Sequence, residues 1–392
     1  MSSGVRGAQP LLFTPIEVRG VRVPNRVVIT PMCQYSAKDG HVNDWHFAHY
    51  AQFAIGGAGL IFTEAVAVEQ RGRITHGDLG IWSDEYVPGL KRIADFLRQH
   101  GSVPAIQLGH AGRKACTQRP WQGNGPLNRA DIERGESPWP IVAHGSNAMA
   151  ENWLVPDELT GPEMDQVLDA FRSAARRALA AGFDVAELHG AHGYLLHGFL
   201  SPLSNQRSDR YGGSLENRMR FPLEVAEAVR TVWPEDKPLF FRVSAIDDIE
   251  GGWSIEDSVV LARALKARGV DVMDCSSGGI LGGATVAAKP LTPRVLGFQI
   301  PFAERVRRDA GIKTMAVGLI VDAHQAEEAL EQGRADLIAI GREALYDPRW
   351  AVHAARELGC DPDFELWPEQ YGWWLTRRAP LLDKIRTEKK GG

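Results

Sequence analysis

Three stretches of this 392-residue chain repeat one pattern: a helical period, a glycine, then an apolar run that contains aspartate. They read ARRALAAGFDVAELHG, ARALKARGVDVMDCSSG and ALEQGRADLIAIGRE, with the glycines at Gly182, Gly269 and Gly333. Glycine can close a helix in the left-handed conformation that other residues avoid, and a short continuous apolar run is what a strand covered on both faces requires. Five further runs of the same kind, RVVITPM, AGLIFTEA, VPAIQLGH, PLFFRVS and IKTMAVG, bring the strand count to eight. Helical segments alternate with them throughout. The alternation predicts an α/β chain closed into a (β/α)8 TIM barrel, and not an open doubly wound sheet. An open dinucleotide-binding sheet would want GxGxxG early in the chain, where none is found.

Punctuation agrees with this reading. Thr160-Gly-Pro-Glu163 has the spacing of a capping box, and Val167, Leu168, Phe171, Ala174, Ala175 and Ala178 then give one apolar face. Between Lys114 and Leu159 the alternation lapses into a stretch rich in Pro, Gly and Trp, which reads as a lid insertion (about 114–159) after strand three. Residues from about 361 to 392 read as a C-terminal tail. The expectation is a single barrel domain over 1–392 carrying both additions.

Composition narrows the function. The chain is 44% apolar and 24% charged with a formal net charge of −5, so it carries no nucleic-acid footprint. Nowhere do 18 apolar residues run together, so no membrane is expected. Cys33, Cys116, Cys275 and Cys360 lie far apart with no CxxC pair, which fits a reducing cytoplasm and offers no framework for zinc or an iron–sulfur cluster.

In such a barrel, chemistry belongs at the C-terminal ends of the strands. Those positions hold Thr30, Pro31, Met32 and Cys33; Ala65; Gln107; His189 and His192; Arg242; Ser276 to Gly279; Gly318; and Gly341 with Arg342. Glycine turns after strands seven and eight often hold phosphate through backbone N–H groups. HGAHGY places two imidazoles three apart and then a phenol, Tyr194, at the end of strand four. The spacing can bring both rings to one point if the segment takes a helical turn after the strand. Such a pair could also bind a metal, but no carboxylates are expected beside it at other strand ends, so no metal is predicted.

The quoted residues, with PNRVVITPMCQYSA, AIQLGHAGRKA, ELHGAHGYLLHGFLSPLSNQRSDRYGGSLENRMRF and AVGLI…IAIGREALYDP, resemble the Old Yellow Enzyme family of FMN-dependent ene-reductases. Within it they are most similar to the thermophilic-like subgroup that includes xenobiotic reductase, and the likeness runs from about Leu12 to Pro348. It implies one FMN at the barrel mouth, lined by Pro31, Met32 and Ala65, with Gln107 on the pyrimidine edge and Arg242 near the N1/C2 carbonyl region. Gly318, Gly341 and Arg342 would hold the phosphate, and the Cys33 thiol would tune the flavin by hydrogen bonding. Arg242 could instead serve only in an interior salt bridge. NADPH, or NADH, would reduce FMN, which would pass hydride to the β-carbon of an α,β-unsaturated carbonyl or nitro compound. His189 and His192 would hold the substrate oxygen, Tyr194 would protonate the α-carbon, and Tyr35 would face substrate. In the tail segment YGWWLTRR, Trp374 or Arg378 would reach the site of a neighbouring subunit, which requires a homodimer or homotetramer.

Overall fold

The computed structural model describes residues 9–281 and 290–390, apart from the side chains of 383, 389 and 390. Eight parallel strands close into a barrel. They are β1 (Val27–Ile29), β2 (Leu60–Ala67), β3 (Val103–Gly109), β4 (Val185–Gly190), β5 (Leu239–Ser244), β6 (Val272–Ser276), β7 (Lys313–Ala316) and β8 (Leu337–Ile340), and β8 pairs with β1 to complete the ring. All eight are the runs read from sequence. Helices α1 (Asp44–Ile55), α2 (Val87–Gln99), α3 (Gly161–Ala180), α4 (Leu215–Arg230), α5 (Ile255–Lys266), α6 (Ile300–Ala310), α7 (Ala323–Glu331) and α8 (Trp350–Glu357) form the outer layer.

Burial on both strand faces explains why the strands read as continuous apolar runs. One face, including Ile61, Ile106, Leu188, Phe241 and Ile338, packs outward in the same core as the helices. The alternate face, with Val28, Phe62, Ala105, Val185, Phe240, Val272, Met315 and Leu337, fills the barrel interior. Moving toward the C-terminal ends, that inward series turns polar: Gln107, Glu187, Arg242 and Asp274 are all buried. The functional end of the barrel is therefore written into the alternation itself. The other end is closed by a hairpin, Ile16–Val18 with Val21–Val23, whose Ile16, Val18 and Val23 join the interior cluster. The strand reading did not anticipate this plug.

Gly182, Gly269 and Gly333 all sit at positive φ (88°, 86° and 66°), as the helix-ending role requires. Glu163 accepts from the amide and hydroxyl of Thr160, 2.9 and 2.6 Å away, at the start of α3. Its buried face is Met164, Val167, Phe171, Ala174, Ala175 and Ala178, with Leu168 only partly covered. The stretch between β3 and α3 contains a short helix, Arg129–Glu133, and a two-stranded pair, Val142–Ala143 with Asp157–Glu158. The tail is a long helix, α9 (Glu369–Lys390).

His144 anchors the insertion to the loop after β4, its Nε2 lying 3.2 Å from the Ser204 carbonyl while Arg207 binds the carbonyls of His144 and Leu159. Burial, with Arg113 nearby, holds the imidazole down at about 3. Below the ordinary value near 6.5 the unfolded chain takes up a proton here that the folded chain refuses, so stability from this group is lost as pH falls toward 3. The slope is about 1.4 kcal/mol per pH unit. Denaturant titrations at pH 7.5 and pH 5 should therefore show the gap between the wild type and His144→Phe narrowing in acid. Gaps that stay parallel would contradict a neutral buried His144.

Candidate functional site

Neighbouring strands bring the polar residues into one layer, because the register pairs Gln107 with Glu187, His189 with Arg242, and Arg242 with Asp274. Gln107 Nε2 donates to Glu187 Oε1 at 2.8 Å. Arg242 Nε lies 3.1 Å from Asp274 Oδ2, yet neither atom has a well-aligned hydrogen bond. Burial pushes the Glu187 carboxyl up, and the Asp274 charge pushes it further. Two carboxylates thus do accompany the histidines, Glu187 on the same strand and Asp274 two strands on, contrary to the sequence expectation. They sat unread inside the apolar runs of β4 and β6. Their partners are Gln107 and Arg242, and among the described residues no group of three or more His, Cys, Asp or Glu could hold a metal ion. The salt-bridge alternative for Arg242 is half right: it makes the pair and also lines a cavity.

That cavity, of about 350 Å³, opens at the ends of β1, β7 and β8. Thr30, Pro31, Met32, Arg242, Gly318 and Gly341 line it, and Arg342 borders it. Thr30 Oγ1 and Arg242 Nε are buried without hydrogen-bond partners. Gly318 stands at φ 108°, where a Cβ would collide with Gln299, so only glycine fits that turn. The Arg342 side chain is exposed and makes no hydrogen bond or ion pair with any described residue. Unsatisfied polar groups around a concave space are what a polar ligand would complete.

A smaller cavity adjoins it, about 10 Å³ and lined among others by Ala65, Asp78, His110, His189 and Tyr194. His189 Nδ1 accepts from the Ala191 amide at 3.4 Å, which leaves the proton on Nε2. Burial and the Arg242 charge push His189 and His192 well below the usual imidazole range, so both rings are neutral at pH 7. Their ring centroids are 5.3 Å apart, and Tyr194 lies 4.9 Å from His189. The sequence expected a helical turn to bring the rings together. Instead His192 adopts φ 59° and Gly193 φ 76°, a left-handed turn that the small Gly193 makes possible. Ser244 Oγ accepts the His192 amide at 2.9 Å, and Ser276 Oγ lies 2.7 Å from His192 Nε2.

Burial, with Cys33 and Asp78 next in weight, pushes the Tyr194 phenol well above its usual range, so it keeps its proton. Burial likewise raises Cys33, further lifted by Glu64, so the half-buried thiol is not a thiolate. Tyr35 sits at φ 50°, its carbonyl accepting from Arg119 Nε at 2.9 Å, with Trp121 edge-on at 5.9 Å. Both partners come from the insertion. Asp78, buried and raised by desolvation to about 7, and Lys114, whose Nζ donates to the His192 carbonyl at 2.7 Å, were not singled out from the sequence. Asp78 stands in no quoted motif, whereas Lys114 is the lysine of AIQLGHAGRKA and could have been found there. Trp374 is not brought to this site by its own chain: it is 67% exposed and lines a separate groove between α8 and α9 with Arg349, Trp367 and Arg378.

The family described as NADH:flavin oxidoreductase / NADH oxidase matches residues 11–360. An NADPH dehydrogenase of Geobacillus sp. (strain WCH70) is 46% identical over 367 residues, spanning 93% of this chain and 99% of that one. Among solved structures, morphinone reductase superposes with a TM-score of 0.72 at 27% identity, covering 89% of this chain and 90% of its own. An old yellow enzyme homologue from Zymomonas mobilis does so with a TM-score of 0.72 at 25% identity, covering 91% and 96%.

Proposed function

The chain belongs to the NADH:flavin oxidoreductase / NADH oxidase family, the Old Yellow Enzyme family, and from that premise we propose that it is an FMN-dependent ene-reductase acting on α,β-unsaturated carbonyl and nitro compounds. It is an oxidoreductase that uses FMN and draws its reducing equivalents from NADPH. Bound there, FMN would supply the hydride chemistry that links NADPH oxidation to reduction of the electron-poor β-carbon of the alkene.

The residues at the mouth fit that group. Thr30 Oγ1 and Arg242 Nε offer buried unsatisfied positions, and the glycine turns at Gly318 and Gly341 leave room where side chains would intrude. Pro31, Met32, Cys33, Ala65, Gln107 and Arg242 would hold the flavin ring, and Gly318, Gly341 and Arg342 its phosphate. Arg242 contributes fixed positive charge where negative charge grows on reduction.

The observation that carries the reading is the trio of His189, His192 and Tyr194: the His189 ring packs against both of the others, both imidazoles are neutral and the phenol keeps its proton. Neutral imidazoles donate to an electron-withdrawing oxygen without adding a formal charge, and their hydrogen bonds strengthen as that oxygen becomes negative. Tyr194 supplies the proton to the α-carbon, and burial keeps it protonated through neutral pH. Tyr35, propped by Arg119 and Trp121, forms a wall of the substrate space. Trp374 serves substrate only in an assembly of two or four chains, across the subunit boundary. The whole chain works as one barrel unit, in the reducing cytoplasm that four free cysteines fit.

A panel of cyclohexenone, maleimide, a nitroalkene and coumarin, each assayed with NADH and with NADPH, tests the substrate class. Turnover of the activated alkenes, with NADPH preferred, is expected. NADPH oxidation that none of the four accelerates would contradict the reading.

A further inference from the structure

A third histidine in the same stretch, His197, lies outside the proposed chemistry, yet it is fully buried and bonded on both ring nitrogens. On one side its Nδ1 accepts the backbone N–H of Gly193 at 2.8 Å. On the other its Nε2 lies 2.8 Å from Asp247 Oδ1, just beyond the end of β5. The second carboxylate oxygen, Asp247 Oδ2, is held by the Ser201 hydroxyl at 2.6 Å and the Trp253 amide at 2.7 Å. Gly193 is the residue between His192 and Tyr194 and shares the left-handed turn with His192. A side chain there would collide with the Gly279 carbonyl, so the turn has no slack.

We propose that the Asp247–His197 pair is the positioning device of the donor loop: Asp247 fixes His197 with its proton on Nε2, so that Nδ1 captures the Gly193 amide and sets His192 and Tyr194 at their working angles. The proposal rests on the ene-reductase reading only for what the loop is positioned to do. A carboxylate can only accept, so the nitrogen facing Asp247 must carry the proton and the nitrogen facing Gly193 must be bare. The bond to Gly193 then follows from the bond to Asp247. His197 is thus a positioning residue, since it acts through the backbone of its neighbours and not on the reacting atoms.

Asp247→Asn is the decisive variant because it keeps the shape and inverts the logic. The Trp253 N–H can only donate, so the asparagine oxygen must stay on that side and its NH₂ must face His197. That nitrogen then donates to Nε2, the proton moves to Nδ1, and two donors confront each other at Gly193. The test uses FMN-loaded protein carrying ¹⁵N-labelled histidine. In the wild type the His197 imidazole should show its proton on Nε2, and in Asp247→Asn on Nδ1. Titrated with 4-hydroxybenzaldehyde, a phenol whose oxygen stands in for the substrate oxygen, the variant should bind about tenfold or more weakly, as a small misplacement of positioned groups does. FMN content should be unchanged. His197→Gln, whose amide can donate to Asp247 and accept from Gly193, should recover most of the affinity.

An unchanged tautomer in Asp247→Asn, or a flipped tautomer with wild-type phenol affinity, would overturn the proposal. So would a His197→Gln protein as weak as Asp247→Asn. A wild type that shows the Nε2 proton yet binds no phenol would instead count against the ene-reductase reading, so the two failures are distinguishable.

Discussion

Replacing His189 with alanine should lower kcat/KM for alkene reduction by about 10²- to 10³-fold, the usual loss when one preorganised donor to a developing oxyanion is removed. The ring is neutral, its Nδ1 is occupied by the Ala191 amide, and burial with Arg242 nearby keeps a second proton off. It can therefore only donate through Nε2. A phenolic ligand should bind His189→Ala at least tenfold more weakly for the same reason. Reduction of the flavin by NADPH should suffer much less, because in that half-reaction no negative charge builds on a substrate oxygen within reach of His189. Rapid-mixing measurements of the two half-reactions separate the cases. Equal losses in both would assign His189 a structural role.

Arg242→Met should have the largest effect on the protein itself. Arg242 is the cation beside Asp274, and Asp274 is wholly buried with neither oxygen in a well-aligned hydrogen bond. Removing one partner of a buried pair leaves an uncompensated charge, at a cost of about 3–5 kcal/mol. Glu187 adds little to that cost, because burial and Asp274 already favour its neutral form. The variant should be destabilised by that order in denaturant titrations and should lose FMN on dialysis. Arg242→Lys should fall between, since an ammonium keeps the charge without the planar fork. A stable Arg242→Met protein that retains FMN would show that the cation supports neither the layer nor the cofactor.

The strands could be read directly because a parallel barrel buries both faces of each one, which turns strands into uninterrupted apolar runs. The three glycine-ended helices were legible for a similarly local reason, since left-handed closure needs glycine. What escaped reading depended on partners far apart in the chain. Glu187 and Asp274 were visible as acids inside apolar runs, but that they face the same polar layer follows only from the strand register. The plugging hairpin carried its own signal in the alternation of EVRGVRV, which was too short to stand out against eight longer strands.

The site divides along the same line. Residues tied to a strand end, such as Gln107, His189 and Arg242, fell where sequence put them, because the barrel fixes strand ends. The turn after β4 did not, because a left-handed His192 depends on contacts from Ser244 and Lys114, more than fifty residues away in either direction. Trp374 illustrates the limit of reading from a motif. Its tail helix lies against α8, so any role at a mouth requires a second chain.

An anaerobic titration separates a working ene-reductase from a barrel that only holds flavin. Purified protein with its bound flavin is bleached with one equivalent of NADPH and then mixed with one equivalent of cyclohexenone while the flavin absorbance is followed. A yellow protein is expected, its FMN released on denaturation, bleached by NADPH and restored by the enone. Folded, colourless protein that refuses FMN would contradict the ene-reductase reading, as would a flavin that NADPH bleaches and no activated alkene restores.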